Sequence, residues 1–307
     1  LFNRNLYLYS ERTKHLLDKL TFVSNNIKSF NYYSKPGQIM KYFYTLYQSN
    51  ELNDLFQYTF GFHGYIELLY GINNNIKHKI INKISFTKKN KTIFKQSYHP
   101  SLIKNAVKNN INLKCSKIIT GPNASGKTTI LKTTIINILL CQQFGYGYFK
   151  KGILNPYDFI HCYINIPDTM SRDSLFQSEA RRCYNILDSI NNNKNKRHFC
   201  VFDELYSGTN PYEAISSAAS FLNYISNNNN VKFILTTHFL KLCYLFKNHK
   251  YIKNYNMKTI IQNNKPTYYY KLVQNISHIK GGISILKELN YPDEIIKDAE
   301  KIIDSLN

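Results

Sequence analysis

The stretch IITGPNASGKTT, residues 118–129, decides how the middle of this chain folds. From Gly121 to Thr128 its spacing is G-x-x-x-x-G-K-T, the pattern of a phosphate-binding P-loop. The two glycines let the backbone turn tightly and point successive N–H groups inward, which creates a concavity for an anion. An apolar run precedes the loop, and apolar residues at helical spacing follow it. The sequence therefore predicts a strand, a phosphate-binding loop and a helix whose N-terminus faces the phosphates.

The loop predicts particular contacts with a nucleoside triphosphate. We expect Lys127 to reach the β- and γ-phosphates and the Thr128 hydroxyl to bind Mg²⁺. The other predicted nucleotide-binding residues are the rest of the loop and the residue after Thr128, namely Gly121, Pro122, Asn123, Ala124, Ser125, Gly126 and Thr129. ATP and Mg²⁺ are therefore the predicted cofactors.

A pair of carboxylates follows in HFCVFDELYSGTNPYEA, residues 198–214. Asp203 and Glu204 come after an apolar run, so both are predicted to lie at the C-terminal end of a buried strand. Asp203 is expected to hold Mg²⁺, and Glu204 to orient or deprotonate the attacking water. An acidic pair alone is more often a helix cap or a solvated loop. Downstream of a P-loop it is interpreted as a Walker B pair.

A second apolar strand, VKFILTTH at residues 231–238, ends at His238. A lone histidine is usually structural, but at the end of the strand after the acidic pair it is placed to sense the γ-phosphate. Lys127, Glu204 and His238 are the predicted catalytic residues. The intact set favours turnover, so the sequence is interpreted as an ATPase.

These motifs resemble, in the same order, the three nucleotide-site motifs of the MutS family of DNA mismatch-repair ATPases. The stretch MSRDSLFQSEARRCYNILDSI, residues 170–190, resembles the signature of that family, with Ser174, Phe176 and Glu179 at matching positions. In MutS proteins this loop reaches towards the nucleotide of the partner subunit, so the resemblance implies that Ser174 acts in trans. The segments IPDTMSRDSLFQSEARR and PYEA are similar in sequence to the corresponding segments of the divergent MutS homologues of giant viruses and octocoral mitochondria.

The resemblance implies three domains: a helical core or lever segment at 1–96, a MutS-type ATPase domain at 97–276 and a C-terminal helical dimerisation hairpin at 277–307. Strands predicted at 116–120, 158–164, 199–202 and 231–236 alternate with helices, which is typical of an α/β fold with a mainly parallel sheet flanked by helices. We therefore expect an ABC-type P-loop ATPase domain. The expected apolar contacts of the hairpin are Ile285, Leu286, Leu289, Ile295 and Ile296.

Two features depart from the family. MutS proteins stack the adenine on an aromatic side chain upstream of the P-loop, whereas this chain has Ala106 there and no aromatic residue between Ser101 and Thr120. No segment resembles the mismatch-reading domain, or the nuclease domain of some viral relatives. The chain begins with Leu1, as a piece of a longer protein would.

The composition is strongly basic, with 40 Lys and Arg against 19 Asp and Glu and a net charge of +21. Such an excess is typical of proteins that contact polyanions. Asparagine runs, 26 Tyr and no Trp are also typical of an AT-rich genome, which raises the lysine content, so charge alone leaves both explanations open. With the resemblance added, the expected partners are mismatched or otherwise distorted duplex DNA and a second subunit, in a homodimer or a MutS-like heterodimer.

The six cysteines are scattered without a C-x-x-C pair, which predicts free, mostly buried thiols in a reducing intracellular compartment. The cytoplasm, the nucleus, a viral factory and the mitochondrion all fit. No apolar run reaches membrane-spanning length, so no membrane partner is expected.

The functional hypothesis is a MutS-like ATPase that binds and hydrolyses Mg-ATP to control a dimeric clamp on DNA. One alternative is another ABC-type ATPase of recombination or chromosome maintenance, although SRDSLFQSEARR lacks the Gly-Gly of the usual LSGGQ-like signature. The other is a structural DNA clamp with little ATP turnover.

Overall fold

The computed structural model describes residues 2–27, 35–164, 175–262, 265–277, 286–287, 289 and 291–305. The chain divides into two compact units, Leu1–His78 and Lys79–Asn307. This division precedes the predicted domain boundary at 96/97, because the strands within residues 82–97 pair with strands of the second unit. The predicted domain boundaries remain predictions.

The described residues of the first unit form three helices, α1 (Phe2–Ile27), α2 (Lys35–Gln48) and α3 (Asn50–Lys77). Ser49 caps α3, since its side chain accepts a hydrogen bond from the Leu52 N–H at 3.3 Å. Tyr9 of α1 stacks on Tyr58 of α3 with ring centroids 3.8 Å apart.

The second unit begins with a small sheet. Its strands are β1 (Asn82–Phe86), β2 (Thr92–Ser97), β3 (Asn109–Asn112), β5 (Tyr146–Gly147) and β6 (Lys151–Leu154). A 3₁₀ turn spans Pro100–Leu102 between β2 and β3. The strand order is β3-β2-β6-β1-β5, with β1 and β6 parallel and the other pairs antiparallel.

The main sheet of this unit has six strands. They are β4 (Ser116–Thr120), β7 (Phe159–Tyr163), β8 (His198–Asp203), β9 (Val231–Thr236), β10 (Ile252–Gln262) and β11 (Lys265–Val273). In the order β11-β10-β4-β9-β8-β7, the strands from β10 to β7 pair in parallel, and β11 is antiparallel to β10 at one edge. β4 and β9 are buried along their whole length, as expected of central strands covered on both faces.

Helices cover the main sheet and create two hydrophobic cores. The described residues of this unit form helices α4 (Lys127–Phe144), α5 (Leu175–Asn192), α6 (Pro211–Ser226), α7 (Leu240–Leu245) and α8 (Asp293–Ser305). Ile119 of β4 packs in one core with α4 and the small sheet, and Ile118 packs in the other with α5, α6 and α7. The two isoleucines separate because successive residues of a strand point to opposite faces.

The predicted mixed α/β class is confirmed. The four predicted strands correspond to β4, β7, β8 and β9. All six cysteines are free thiols, and four of them are buried. Within the described ranges, no helix has both the length and the apolar character needed to cross a membrane.

Candidate nucleotide site

The P-loop joins β4 to α4 in a conformation that requires its glycines. Gly121 has a φ of +152° and Gly126 a φ of +94°, which L side chains rarely adopt. A Cβ on Gly121 would lie 2.8 Å from Ser125 Oγ, and a Cβ on Gly126 would lie 3.2 Å from the Tyr270 ring. A side chain at either glycine would therefore both strain the loop and displace its neighbours.

The loop offers hydrogen-bond donors that suit a phosphate. Ser125 Oγ is buried and has no hydrogen-bond partner within the described part of the chain. Gly126 is the N-cap residue of α4 and provides no side-chain cap to the first helical N–H groups. A bound anion can satisfy both, because it accepts hydrogen bonds at the positive end of the helix dipole. The residues present therefore fit a nucleotide phosphate.

Lys127 is the first residue of α4 and is only 6% exposed. Its Nζ donates to the carbonyl oxygens of Gly121 at 2.9 Å and Pro122 at 3.1 Å. Burial lowers the pKa of Lys127, and the carboxylates of Glu204 and Asp203 oppose that shift. An ammonium group has three N–H donors, so the third can serve a phosphate oxygen.

Thr128 and Asp203 meet at the next position. Thr128 Oγ1 donates to Asp203 Oδ2 at 3.0 Å, and Thr236 Oγ1 donates to the other carboxylate oxygen, Oδ1. Asp203 and Thr236 are paired in register on the neighbouring strands β8 and β9. This arrangement holds both oxygens of the carboxylate and places it against the P-loop hydroxyl, a set of oxygen ligands that fits Mg²⁺.

Glu204 and His238 form a second polar pair. His238 Nε2 lies 2.7 Å from Glu204 Oε1 and 3.2 Å from Lys127 Nζ. Nε2 carries at most one hydrogen, so it donates to Glu204 or accepts from Lys127 but cannot do both. The shorter distance, and a carboxylate that only accepts, favour donation to Glu204. That hydrogen bond is the main cause that lowers the pKa of Glu204, which is about half exposed.

A cavity of about 500 Å³ adjoins the P-loop. Ala106 lines it, together with the aromatic side chains of Tyr98, His99 and Tyr270. Tyr270 comes from β11 and is held from the small sheet, because Asn109 Nδ2 donates to its carbonyl oxygen at 2.9 Å. Tyr270 is 44% exposed, and its ring passes close to Gly126. Tyr270 thus brings an aromatic face to the cavity that the residues next to Ala106 lack.

Helix α5 is tied to the segment that follows Glu204. Buried Glu179 accepts hydrogen bonds from Ser207 N at 3.2 Å, Ser207 Oγ at 3.0 Å and Gly208 N at 3.1 Å. A Cβ on Gly208 would lie 2.7 Å from Leu175 Cγ, so the start of α5 packs directly on this segment. Ser174, the predicted trans residue, lies outside the described residues.

The structure brings five predicted residues together at the C-terminal ends of β4, β8 and β9: Lys127, Thr128, Asp203, Glu204 and His238. Asn123, Ala124, Gly126 and Thr129 line the adjoining cavity. The roles of all these residues remain predictions. Sequence reasoning missed Thr236. Its position as a polar residue at the end of an apolar strand that neighbours Asp203 could have identified it. It also missed Tyr270, because nothing in a run of tyrosines on a hairpin far from the P-loop in sequence indicates which of them reaches the cavity.

The expected hairpin contacts differ in exposure. Ile296 is 7% exposed and therefore packs within its own chain, whereas Leu289 and Ile295 are 64% and 49% exposed. Leu286 is intermediate, and Ile285 lies outside the described residues.

Comparison with known proteins places this site in a family. The model of MutS domain V matches residues 117–307. Bacterial proteins named DNA mismatch repair protein MutS are similar: that of Persephonella marina is 30% identical over 216 residues, covering 68% of this chain and 24% of that protein. That of Aquifex pyrophilus is 29% identical over 221 residues, covering 70% of this chain and 25% of that protein.

A third relative, from Bacteroides fragilis, is 32% identical over 192 residues, covering 62% of this chain and 22% of that protein. The matched region thus spans about a quarter of the length of these relatives. The matched residues include the P-loop, the acidic pair, β9 and His238. The chain therefore belongs to the MutS family.

Proposed function

We propose that this chain carries the ABC-type P-loop ATPase of a MutS-like mismatch-repair protein, which binds and hydrolyses Mg-ATP to control a dimeric clamp on DNA. The observation that carries the proposal is the convergence of Lys127, Thr128, Asp203, Glu204 and His238 through direct contacts beside one cavity. A structural clamp without turnover would not require this set of groups.

The P-loop would hold the phosphates of ATP. Its N–H groups, the Ser125 hydroxyl and the third N–H of Lys127 are the donors for the phosphate oxygens. Thr128 and Asp203 would hold Mg²⁺, and Thr236 keeps the Asp203 carboxylate in place. When bound, Mg²⁺ would supply positive charge against the phosphate oxygens.

Glu204 is the group that would accept the proton of the attacking water. Its pKa is lowered by the hydrogen bond from His238, so the carboxylate is ionised at neutral pH, and its partial exposure leaves it accessible to water. His238 orients this carboxylate and stands 3.2 Å from Lys127, where it can respond to changes at the phosphate end of the site.

The cavity would hold the base, with Tyr270 as the stacking platform in place of the family's upstream aromatic residue. Its volume of about 500 Å³ lies within the range of small-ligand sites, about 300–1,000 Å³. An aromatic face stacks on any base, so this contact supports binding without strong base selection.

DNA is proposed as a partner because the relatives are named as DNA mismatch-repair proteins and the chain carries a net charge of +21. A second subunit is proposed because the stretch that contains Ser174 resembles the MutS signature, which reaches towards the nucleotide of the partner subunit. A reducing intracellular compartment is proposed from the six free thiols.

Steady-state phosphate release, with and without duplex DNA, tests the proposal. Glu204→Gln should keep ATP affinity and lose turnover by about 10²-fold or more, because an amide cannot take a proton from water. Lys127→Ala should instead weaken triphosphate binding by about 10- to 100-fold, the loss expected for a charge-assisted hydrogen bond. No phosphate release from the wild-type chain under any condition, or undiminished turnover in Glu204→Gln, would reject this mechanism.

A further inference from the structure

The outer face of the small sheet carries a concave group of lysines that the nucleotide site does not use. A cavity of about 660 Å³ is lined by five lysines from this sheet. They are Lys83 of β1, Lys91 just before β2, Lys95 within β2, Lys150 just before β6 and Lys151 at the start of β6. We call these five residues the lysine face. Ile93 and Ile153, paired across β2 and β6 and half-buried, also line it.

The lysines form a row across three adjacent strands. Lys95 is directly opposite Lys151 in the antiparallel pair of β2 and β6. Lys83 precedes Ile84, which is in register with Gly152, the residue after Lys151. Ile84 and Gly152 are buried on the inner face, so Lys83 and Lys151 project outward side by side. The backbone positions of Lys95, Lys151 and Lys83 therefore span two strand spacings, or about 10 Å.

Within the described ranges, no carboxylate is paired with these lysines. Like charges directly opposite each other destabilise a sheet, so the Lys95–Lys151 pair costs stability unless an anion lies between them. The sheet is thus built with an unfavourable pair that a ligand can relieve.

The surrounding sequence excludes negative charge as well. Residues 79–157 contain fourteen lysines and none of the 19 acidic residues of the chain. A drift in base composition acts on the whole chain and does not clear acids from one segment. The absence of acids is therefore a local property of the part of the chain that forms the small sheet.

We propose that the lysine face is a docking surface for the phosphate backbone of duplex DNA. The lysine ammonium is a compact point charge, and its contact with a phosphate positions the backbone without carrying sequence information. None of the described residues that line the cavity is aromatic, whereas single-stranded sites depend on aromatic stacking. The choice of DNA, as opposed to another polyanion, rests on the proposed function.

A triple variant, Lys83→Gln, Lys95→Gln and Lys151→Gln, tests the surface in the full chain. The matched control removes three exposed lysines elsewhere, Lys114→Gln, Lys194→Gln and Lys247→Gln. Titration of a fluorescent duplex over a salt series should show that the first triple variant binds DNA at least about tenfold more weakly than the wild type. Its salt slope should be shallower by up to about 2.7, or about 0.9 for each phosphate that a lysine no longer neutralises. The control should stay within about threefold of the wild type.

Equal losses of DNA affinity in both triple variants, or no loss in either, would overturn the proposal. Polyglutamate serves as a polyanion that is not a nucleic acid. If the first triple variant lost affinity for polyglutamate and kept its affinity for DNA, the proposal would also be overturned. ATP hydrolysis without DNA should be unaffected in the first triple, because these lysines do not line the nucleotide cavity. Failure of the ATPase in every protein would reject the proposed function and leave the DNA result interpretable. Amine acetylation of the wild-type chain provides a second readout, in which duplex DNA should protect Lys83, Lys95 and Lys151 and leave the control lysines reactive.

Discussion

The hydrogen bond between His238 and Glu204 should be visible in the pH dependence of turnover. It lowers the pKa of Glu204 from its ordinary value of 4.5, so this carboxylate, the proposed base, stays ionised at neutral pH and loses its charge only as the pH falls below that value. His238→Ala removes the donor and leaves burial, which raises the pKa of Glu204, opposed only by the smaller effect of the Lys127 charge. The acid limb of the kcat profile should therefore move to higher pH.

The control for this shift is Glu204→Gln, whose residual activity should lack that limb because the amide does not titrate in this range. Circular dichroism at each pH separates unfolding from loss of the base. An unchanged limb in His238→Ala would mean that the histidine does not control the ionisation of Glu204.

A second single-residue test concerns Tyr270, which lines the cavity beside the P-loop and is proposed to stack on the base of ATP. Tyr270→Ala should weaken ATP binding by about 10- to 100-fold, the loss expected for one base–aromatic stack. Binding of inorganic tripolyphosphate should be unchanged, since Lys127 and the loop remain. Tyr269→Ala is the matched control, because that neighbour contributes nothing to the cavity lining. Equal loss of ATP and tripolyphosphate affinity in Tyr270→Ala would indicate damage to the P-loop.

At the scale of elements, the contact between α5 and the segment after Glu204 should be measurable as stability. Glu179→Ala leaves Ser207 N, Ser207 Oγ and Gly208 N without their acceptor in a buried position. The free energy of unfolding should fall by about 1–3 kcal/mol or more, read as a lower urea midpoint. Glu179→Gln should lose less, because its amide oxygen can still accept. Exposed Glu213→Ala is the control and should change stability by less than about 1 kcal/mol; a similar loss there would contradict the assignment to Glu179.

Element prediction succeeded where burial imposes a simple pattern. β4, β8 and β9 are central parallel strands, and their continuous apolar runs are visible in the sequence. The P-loop spacing and the acidic pair likewise locate Lys127 and Asp203, because their chemistry restricts which residues can stand there.

Other elements were not predictable for physical reasons. β5 has two residues, too few to show any period. β10 and β11 form an edge hairpin with a register shift between Met257 and Thr259, and the mixed burial of β10 removes the alternation that identifies a strand. Tyr270 reaches the cavity from this hairpin, so its contribution depends on tertiary pairing that no local pattern encodes.

At the scale of the whole molecule, the open question is whether the site is completed by a second chain. The matched region spans about a quarter of the relatives' length, so the assembly is a proposal. Leu289, Ile295 and Ile302 leave 64%, 49% and 50% of their surface exposed at the C-terminal end, which gives a partner apolar surface to cover. Ile296 is committed to its own chain. If Ser174 acts across such an interface, turnover per chain should rise with protein concentration and show a dimer midpoint.

Mixing two inactive variants tests this shared site directly. Lys127→Ala disables the P-loop of its own chain, and Ser174→Ala disables only the loop offered to the partner. In a mixed dimer one composite site contains both defects and the other contains neither, so activity should recover to about a quarter of the wild-type rate when subunits mix statistically in a two-fold dimer. A Lys127→Ala and Glu204→Gln mixture is the control, because both defects lie on the P-loop side and no composite site is intact. Absence of recovery in the first mixture, with subunit exchange demonstrated by fluorescence energy transfer, would show that each chain completes its own site.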